Sequence, residues 1–266
     1  TQKETLLFTD SVLWAMKFDG PPYTFGFDRI GATNGIRGPN AAKEVDGRVF
    51  WMGASDFWGY DGQISMLPCT VLPTVFDDID ADQSAMVYAG ANRPFNEVWW
   101  LYPSDGATEC DKYVLCNCVE KTWTFGDLAR TVLVGDSDTF SNVYALGADG
   151  YLYDHETGVN ADGGALAAHA ETGDMEIGEG EDIMLVDALV PDFSTISGTV
   201  SATLKGRRYP TKEQLTKGPY SITSASDLVK VRITARQLSV RLEVSDIGAN
   251  FRLGTLRINI QPDGTR

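Results

Sequence analysis

The run Arg48-Val-Phe-Trp-Met-Gly-Ala-Ser-Asp-Phe-Trp-Gly-Tyr-Asp-Gly62 leaves little choice of local structure. Val49 to Met52 is a short, β-prone apolar segment. Gly53 to Asp56 has turn composition, and Phe57, Trp58 and Tyr60 form a second aromatic segment. Two such segments separated by a turn read as a β-hairpin, with Asp46-Gly47 and Asp61-Gly62 supplying the tight turns on either side. Thinner versions recur. Glu97-Val-Trp-Trp-Leu-Tyr102 runs through the turn Pro103–Gly106 to Asp111–Val119 and Trp123, and Asn142–Leu146 turns at Gly147–Gly150 into Tyr151-Leu-Tyr153. The anchors Trp14, Trp51, Trp99 and Tyr144 recur at roughly 37–48 residues, the length of one four-stranded propeller blade. A blade buries neither face alone, so such units stack. About four of them is few for a closed propeller.

Beyond these repeats the pattern changes. Val159–Glu181 is rich in Gly, Ala, Asp and Glu and reads as a linker or an extended loop. After it, Val200, Ala202 and Leu204 alternate with polar residues, as do Val231 and Ile233, then Leu238, Val240 and Leu242 in the opposite parity. The flip near Arg236-Gln237 implies a bulge or a bend. A last strand carries Leu256, Ile258 and Ile260. Half-buried antiparallel strands of this kind build a small sandwich. The expected fold is therefore all-β: a partial or small propeller over residues 1–158, a linker over 159–181 and a β-sandwich-like domain over 182–266.

Charge is unevenly placed along the chain. The 266 residues carry a formal −15, of which residues 1–200 contribute −22 and residues 201–266 contribute +7. An acidic segment repels nucleic acid, while a basic one meets an acidic neighbour, another copy of the chain, or phosphate. An ordinary solvated surface is the plainer alternative. No apolar run reaches the roughly 18 residues of a membrane-spanning helix, so no membrane insertion is expected. No signal peptide is evident, and Thr1 in place of an initiator Met points to a processed or incomplete N-terminus.

The remaining chemistry-bearing residues form no recognised site. Cys69, Cys110, Cys116 and Cys118 lack the paired C-x-x-C knuckles of zinc sites, so reduced buried thiols are expected, with a disulfide or a metal as alternatives. Asp78, Asp80 and Asp82 match the first ligand positions of a calcium loop. Gln83 stands where Gly is needed and Ala89 where Glu is needed, and a polar linker with an Asp capping a turn near Ala81–Ala85 fits better. His155 and His169 are the two histidines, and His155-Glu156 lacks a second His at zinc-protease spacing. No nucleophile elbow, phosphate loop or sialidase-type Asp box occurs. Neither catalytic nor metal-ligating residues are assigned, and no cofactor is expected.

Four segments resemble tailed-bacteriophage virion proteins: Asn96–Pro103, Glu120–Gly126, Leu189-Val-Pro-Asp-Phe193, and the tail with Phe251-Arg-Leu-Gly254, Arg257 and Pro262–Arg266. The nearest class is the head-to-tail hub, DNA-stabilisation and tail-nozzle proteins of short-tailed phages. That resemblance implies a propeller with added β domains, assembled in the host cytoplasm as a ring, commonly of six copies, in the virion tail. Its partners would be further copies, other tail or portal and adaptor proteins, and genomic DNA passing without specific binding. An acidic wall would let DNA slide. Arg207, Arg208, Arg232, Arg236, Arg241, Arg252 and Arg257 would then be candidates for the subunit interface, with a solvent-facing role as the alternative. A rival reading makes the chain a glycan-binding module of the tail, with Trp58, Tyr60 and Trp100 stacking on sugar rings. A glycan-acting enzyme is a further rival, and sequence cannot pair the two carboxylates it needs.

Overall fold

A computed structural model describes residues 4–135, 142–176, 180–209 and 211–264, and the chain divides into two compact units, Thr1–Thr157 and Gly158–Arg266. In the first unit, four antiparallel sheets follow one another along the chain, each a meander in chain order. The first holds β1 (Thr5–Phe8), β2 (Leu13–Phe18) and β3 (Phe25–Gly31). The second holds β4 (Ala42–Val45), β5 (Arg48–Met52), β6 (Phe57–Tyr60) and β7 (Ile64–Met66). The third holds β8 (Tyr88–Asn92), β9 (Glu97–Tyr102), β10 (Lys112–Asn117) and β11 (Trp123–Asp127). The fourth holds β12 (Val132–Val134), β13 (Val143–Leu146) and β14 (Leu152–His155).

Alternation sends successive side chains to opposite faces, and each shared face becomes one layer of core. Leu6, Phe8, Leu13 and Ile30 of the first sheet meet Val49, Trp51 and Tyr60 of the second. The other face of the second sheet, with Phe50, Met52 and Phe57, meets Val98, Trp100, Val114 and Trp123 of the third. The far face of the third, with Trp99, Leu101 and Tyr113, meets Leu133, Val143 and Ala145 of the fourth. The expected hairpin Arg48–Gly62 is β5–β6, closed by the Gly53 N–H donating to the Asp56 carbonyl at 2.8 Å. Indole N–H groups buried between layers donate to main-chain carbonyls: Trp51 to Asn34 at 3.2 Å, Trp100 to Ala41 at 3.1 Å and Trp123 to Pro68 at 2.7 Å.

Leu67-Pro-Cys-Thr-Val71, an apolar segment ended by Pro73 that reads in the sequence as a further strand, is not one. Instead Pro73 sits in the first turn of a short helix, α1 (Leu72–Phe76), where its missing N–H would have had no helical acceptor. The strands β8 and β12, which no strong pattern announces, are the first strands of their sheets and lie against each other. Gly90 allows this approach, since a Cβ there would stand 2.6 Å from a Leu133 methyl carbon.

The second unit is built from β15 (Asn160–Ala161), β16 (Gly164–Ala165), β17 (Ala168–Glu171), β18 (Met184–Val190), β19 (Phe193–Ser197), β20 (Val200–Arg207), β21 (Leu215–Ile222), β22 (Val229–Ala235), β23 (Gln237–Val244), β24 (Asn250–Leu253) and β25 (Arg257–Pro262). One sheet has the order β17-β23-β20-β21 and the other β22-β18-β25, with β15–β16 and β19–β24 as separate pairs. Between the two sheets lies one apolar core of Met184, Val186, Leu189, Val200, Ala202, Leu204, Ile233, Val240 and Leu242. The parity flip at Arg236 is a corner: β22 ends in one sheet and β23 begins in the other. The segment 159–181 is not a free linker over its described residues. Its strand β17 pairs with β23 from Ala168↔Val244 to Glu171↔Arg241, and Met175 forms a bridge with Leu238.

Folding also redistributes the charge. The first unit carries −13 and the second −2, because the basic tail folds onto the acidic residues 158–200.

Candidate interaction surfaces

Three layers of core use six of the eight sheet faces in the first unit, and the remaining two lie at opposite ends of the stack. The outer face of the first sheet follows from the register: Leu7 lies beside Trp14 and Arg29, Met16 beside Thr5 and Phe27, and Phe18 beside Phe25. Phe18 is 72% exposed and Phe27 57%, and Phe18 and Phe25 form an edge-to-face pair with centroids 6.0 Å apart. Tyr23, between β2 and β3, is exposed as well. The face carries one charged residue, Arg29, among its paired positions.

On the last sheet the outer face holds Val132, Leu146 and Leu152 in one row and Val134, Tyr144 and Asp154 in the next. Leu152 is 67% exposed, and Val134 and Leu146 are exposed as well. Asp154 is the charged residue of this face, and Asn142 donates to it at 3.3 Å. Sequence reasoning missed both faces. The alternation of Phe25, Phe27 and Arg29 was the available signal, but it reads equally well as a buried face.

The arginines expected at a subunit interface are spread over several strands of the second unit, with Arg207 and Arg241 on β20 and β23, Arg232 and Arg257 on β22 and β25, and Arg252 on β24. Arg241 donates through Nε to Glu243 at 2.9 Å and lies 3.5 Å from Glu171, which also holds Lys205 at 2.6 Å. The hydrogen bond from Lys205 is the main reason the Glu171 carboxyl titrates below its usual range, and the Glu243 contact raises Arg241. Arg257 meets Asp192 at 3.3 Å. Arg236 donates to the carbonyls of Gly180 and Glu181 and lies over the Tyr209 ring, and its own N–H donates to the Arg207 carbonyl. Arg207 is half-buried, whereas Arg208, Arg232 and Arg252 are exposed.

The aromatics expected to stack on sugars are placed in the core instead. Trp100 is 0% exposed and Tyr60 5%, and Trp58 is half-buried against the first core layer. The Tyr60 hydroxyl donates to Glu4, and burial, followed by that carboxylate, pushes its pKa up to about 12. A hairpin between two packed sheets has no solvent face, and the same aromatic alternation serves either purpose.

No protein-family model and no curated protein matches the chain. Among solved structures, similarity is reported to an exo-beta-1,3-galactanase from Phanerochaete chrysosporium with beta-1,3-galactotriose, at 10% identity over 96% of this chain and 81% of that one, with a TM-score of 0.29. A glycoside hydrolase matches at 9% identity over 96% of both chains, with a TM-score of 0.20. Scores this low carry no argument about fold or chemistry.

The remaining polar clusters pair locally, although the buried Asn92 Oδ1 accepts no hydrogen bond among the described residues. Asp80 accepts from the N–H groups of Asp82 at 2.8 Å and Gln83 at 3.2 Å, capping the turn before Ser84–Met86, while Asp78 pairs with Lys112 at 3.0 Å. Among the described residues no group of acidic, Cys and His side chains has metal-site geometry. Buried Asn92 donates to Glu97 and Glu156, each at 3.2 Å, and Trp99 donates to Glu97 at 2.9 Å. Burial, aided by the Glu156 charge, raises the Glu97 pKa. The four thiols are free. His155 is half-buried beneath Arg130, whose Nε donates to it at 3.4 Å, and burial lowers its pKa. Among the described residues no helix is long and apolar enough to cross a membrane.

Proposed function

We propose that this chain is a structural subunit of a tailed-phage virion, assembled with further copies as a ring in the tail nozzle or head-to-tail hub around the DNA channel. The observation that carries the assembly part is the exposure of apolar side chains, among them Phe18, Phe27 and Leu152, on the outer faces at the two ends of the sheet stack. Contiguous apolar surface of this kind marks a protein–protein contact. The −13 charge of the first unit supports a role beside DNA without binding it, since like charge keeps a polyanion mobile. The resemblance of the aromatic and turn segments to nozzle and hub proteins supplies the virion assignment.

Cryo-electron microscopy and peptide mass spectrometry of purified particles test this reading. Ring density at the tail that fits the sheet stack is the expected result. Absence of the chain from particles overturns it. A filter-binding assay with duplex DNA at low salt is expected to show no retention, and tight retention would count against the channel role.

A further inference from the structure

We infer that the outer face of the β1–β3 sheet in one copy docks on the outer face of the β12–β14 sheet in a second copy, so that the sheet stack continues from chain to chain. This deepens the assembly part of the proposed function and does not depend on the virion assignment.

The internal layers set the rule for the contact. In all three of them, the trailing face of one sheet packs on the leading face of the next in chain order. The two faces outside these layers are a leading face, on the first sheet, and a trailing face, on the last. They are therefore opposite in kind, and each matches the other rather than itself. Their composition also follows the internal pattern. Trp14, Phe18, Phe25 and Phe27 offer rings, and Val134, Leu146 and Leu152 offer the smaller aliphatic groups that receive them. Within the chain, Leu6, Leu13 and Ile30 on the trailing face of the first sheet receive Trp51 and Tyr60 on the leading face of the second in the same way.

Charge agrees with this direction. The paired positions of the first face carry Arg29 and those of the second carry Asp154. Opposite signs favour the contact between unlike faces and disfavour contact of either face with itself. A contact between two different patches is heterologous, so it repeats from copy to copy and ends only when a ring closes. Each chain also carries −15, so long-range repulsion opposes association and added salt weakens that repulsion while leaving the apolar contact in place.

The test uses the full chain and two exposed single variants, Phe27→Lys on the first face and Leu152→Lys on the second, with circular dichroism confirming that both fold. Native mass spectrometry and light scattering give the mass. The wild type is expected to be multimeric, with a larger multimeric fraction at higher salt. Each variant alone is expected to be monomeric, because every contact needs both faces. An equimolar mixture of the two is expected to form a one-to-one dimer, since one intact face remains on each partner and the two are complementary. A monomeric wild type at all salt concentrations overturns the inference. So does a multimer that either substitution leaves unchanged, or a mixture that stays monomeric. Multimers that form by this rule from a chain absent from particles would remove the virion assignment and leave the inference standing. A chain present in particles yet monomeric in solution would do the reverse.

Discussion

Trp100 donates its indole N–H to the main-chain carbonyl of Ala41, 3.1 Å away, and so ties the third sheet to the segment that leads into β4. Its ring is buried and lies nearly parallel to Trp123, with centroids 6.0 Å apart and an interplanar angle of 16°. Trp100→Ala is expected to cost about 3–5 kcal/mol, as for other large aromatic truncations in a core. Trp100→Phe removes the N–H, and the net loss of the hydrogen bond is about 1 kcal/mol, added to the lost ring packing. The Ala41 carbonyl keeps a second donor, the Met52 N–H at 3.0 Å, so it is not orphaned. Urea unfolding of the two variants checks the order.

Gly90→Ala is expected to destabilise the first unit by about 1–3 kcal/mol through overpacking. The new Cβ would lie 2.6 and 2.8 Å from Leu133 side-chain carbons and 3.0 Å from the Leu133 carbonyl oxygen. A companion Leu133→Ala change is expected to recover part of the loss at the clash while adding a cavity cost of its own. A double-mutant cycle by thermal unfolding reads the coupling.

Glu171 bridges Lys205 and Arg241, so its carboxyl titrates below its usual range when folded. The stability gained from that depression is fully present above the ordinary glutamate pKa and is lost as pH falls through the lower, folded value. Glu171→Gln is therefore expected to lower the melting temperature at neutral pH. The gap between variant and wild type should close as the pH is lowered past about 4. A gap that persists at acid pH would argue for lost packing instead.

Thiol reactivity is expected to follow the local environment. Cys110 is buried, and burial pushes its pKa up to about 12. The Cys116 Sγ donates to the Asn117 carbonyl at 3.6 Å and the Cys118 Sγ to the Cys116 carbonyl at 3.9 Å, and the interaction of the two neighbouring thiols lowers the pKa of Cys118 and raises that of Cys116, with burial adding to the rise. Alkylation with iodoacetamide near neutral pH, followed by peptide mapping, is expected to label Cys118 first and Cys110 last, because the thiolate is the reactive form. Cys116→Ala should slow labelling at Cys118.

Much of the fold was legible in the residues because strand alternation and turn chemistry are local. Arg48–Gly62 encodes β5 and β6 with their turn, Glu97–Tyr102 encodes β9, and Val200, Ala202 and Leu204 encode a strand with its buried face. Among the strands that escaped notice are β8, whose Tyr-Ala-Gly-Ala-Asn sequence has no β-branched residue, and β12, which is very short. Tertiary contact makes each of them a strand: Gly90 and Ala91 are small so that a neighbouring strand can approach. Likewise β17 looked like linker until its backbone paired with β23.

The candidate surfaces were less legible. An alternating aromatic strand states that one face is apolar, and period-two alternation is indifferent to whether another sheet or water lies beyond it. Trp58, Tyr60 and Trp100 therefore looked available and proved to be covered, while Phe18, Phe25 and Phe27 are exposed. Charge behaved the same way. The sign change near residue 200 is real along the chain, yet Glu171 and Asp192 come from its acidic side to meet Lys205, Arg241 and Arg257 from its basic side. Sequence by itself determined strands, turns and the two kinds of β unit, because these depend on neighbours a few residues away. Only the tertiary structure decided which faces and which charges remain unpartnered, because that depends on which distant segments pack against them.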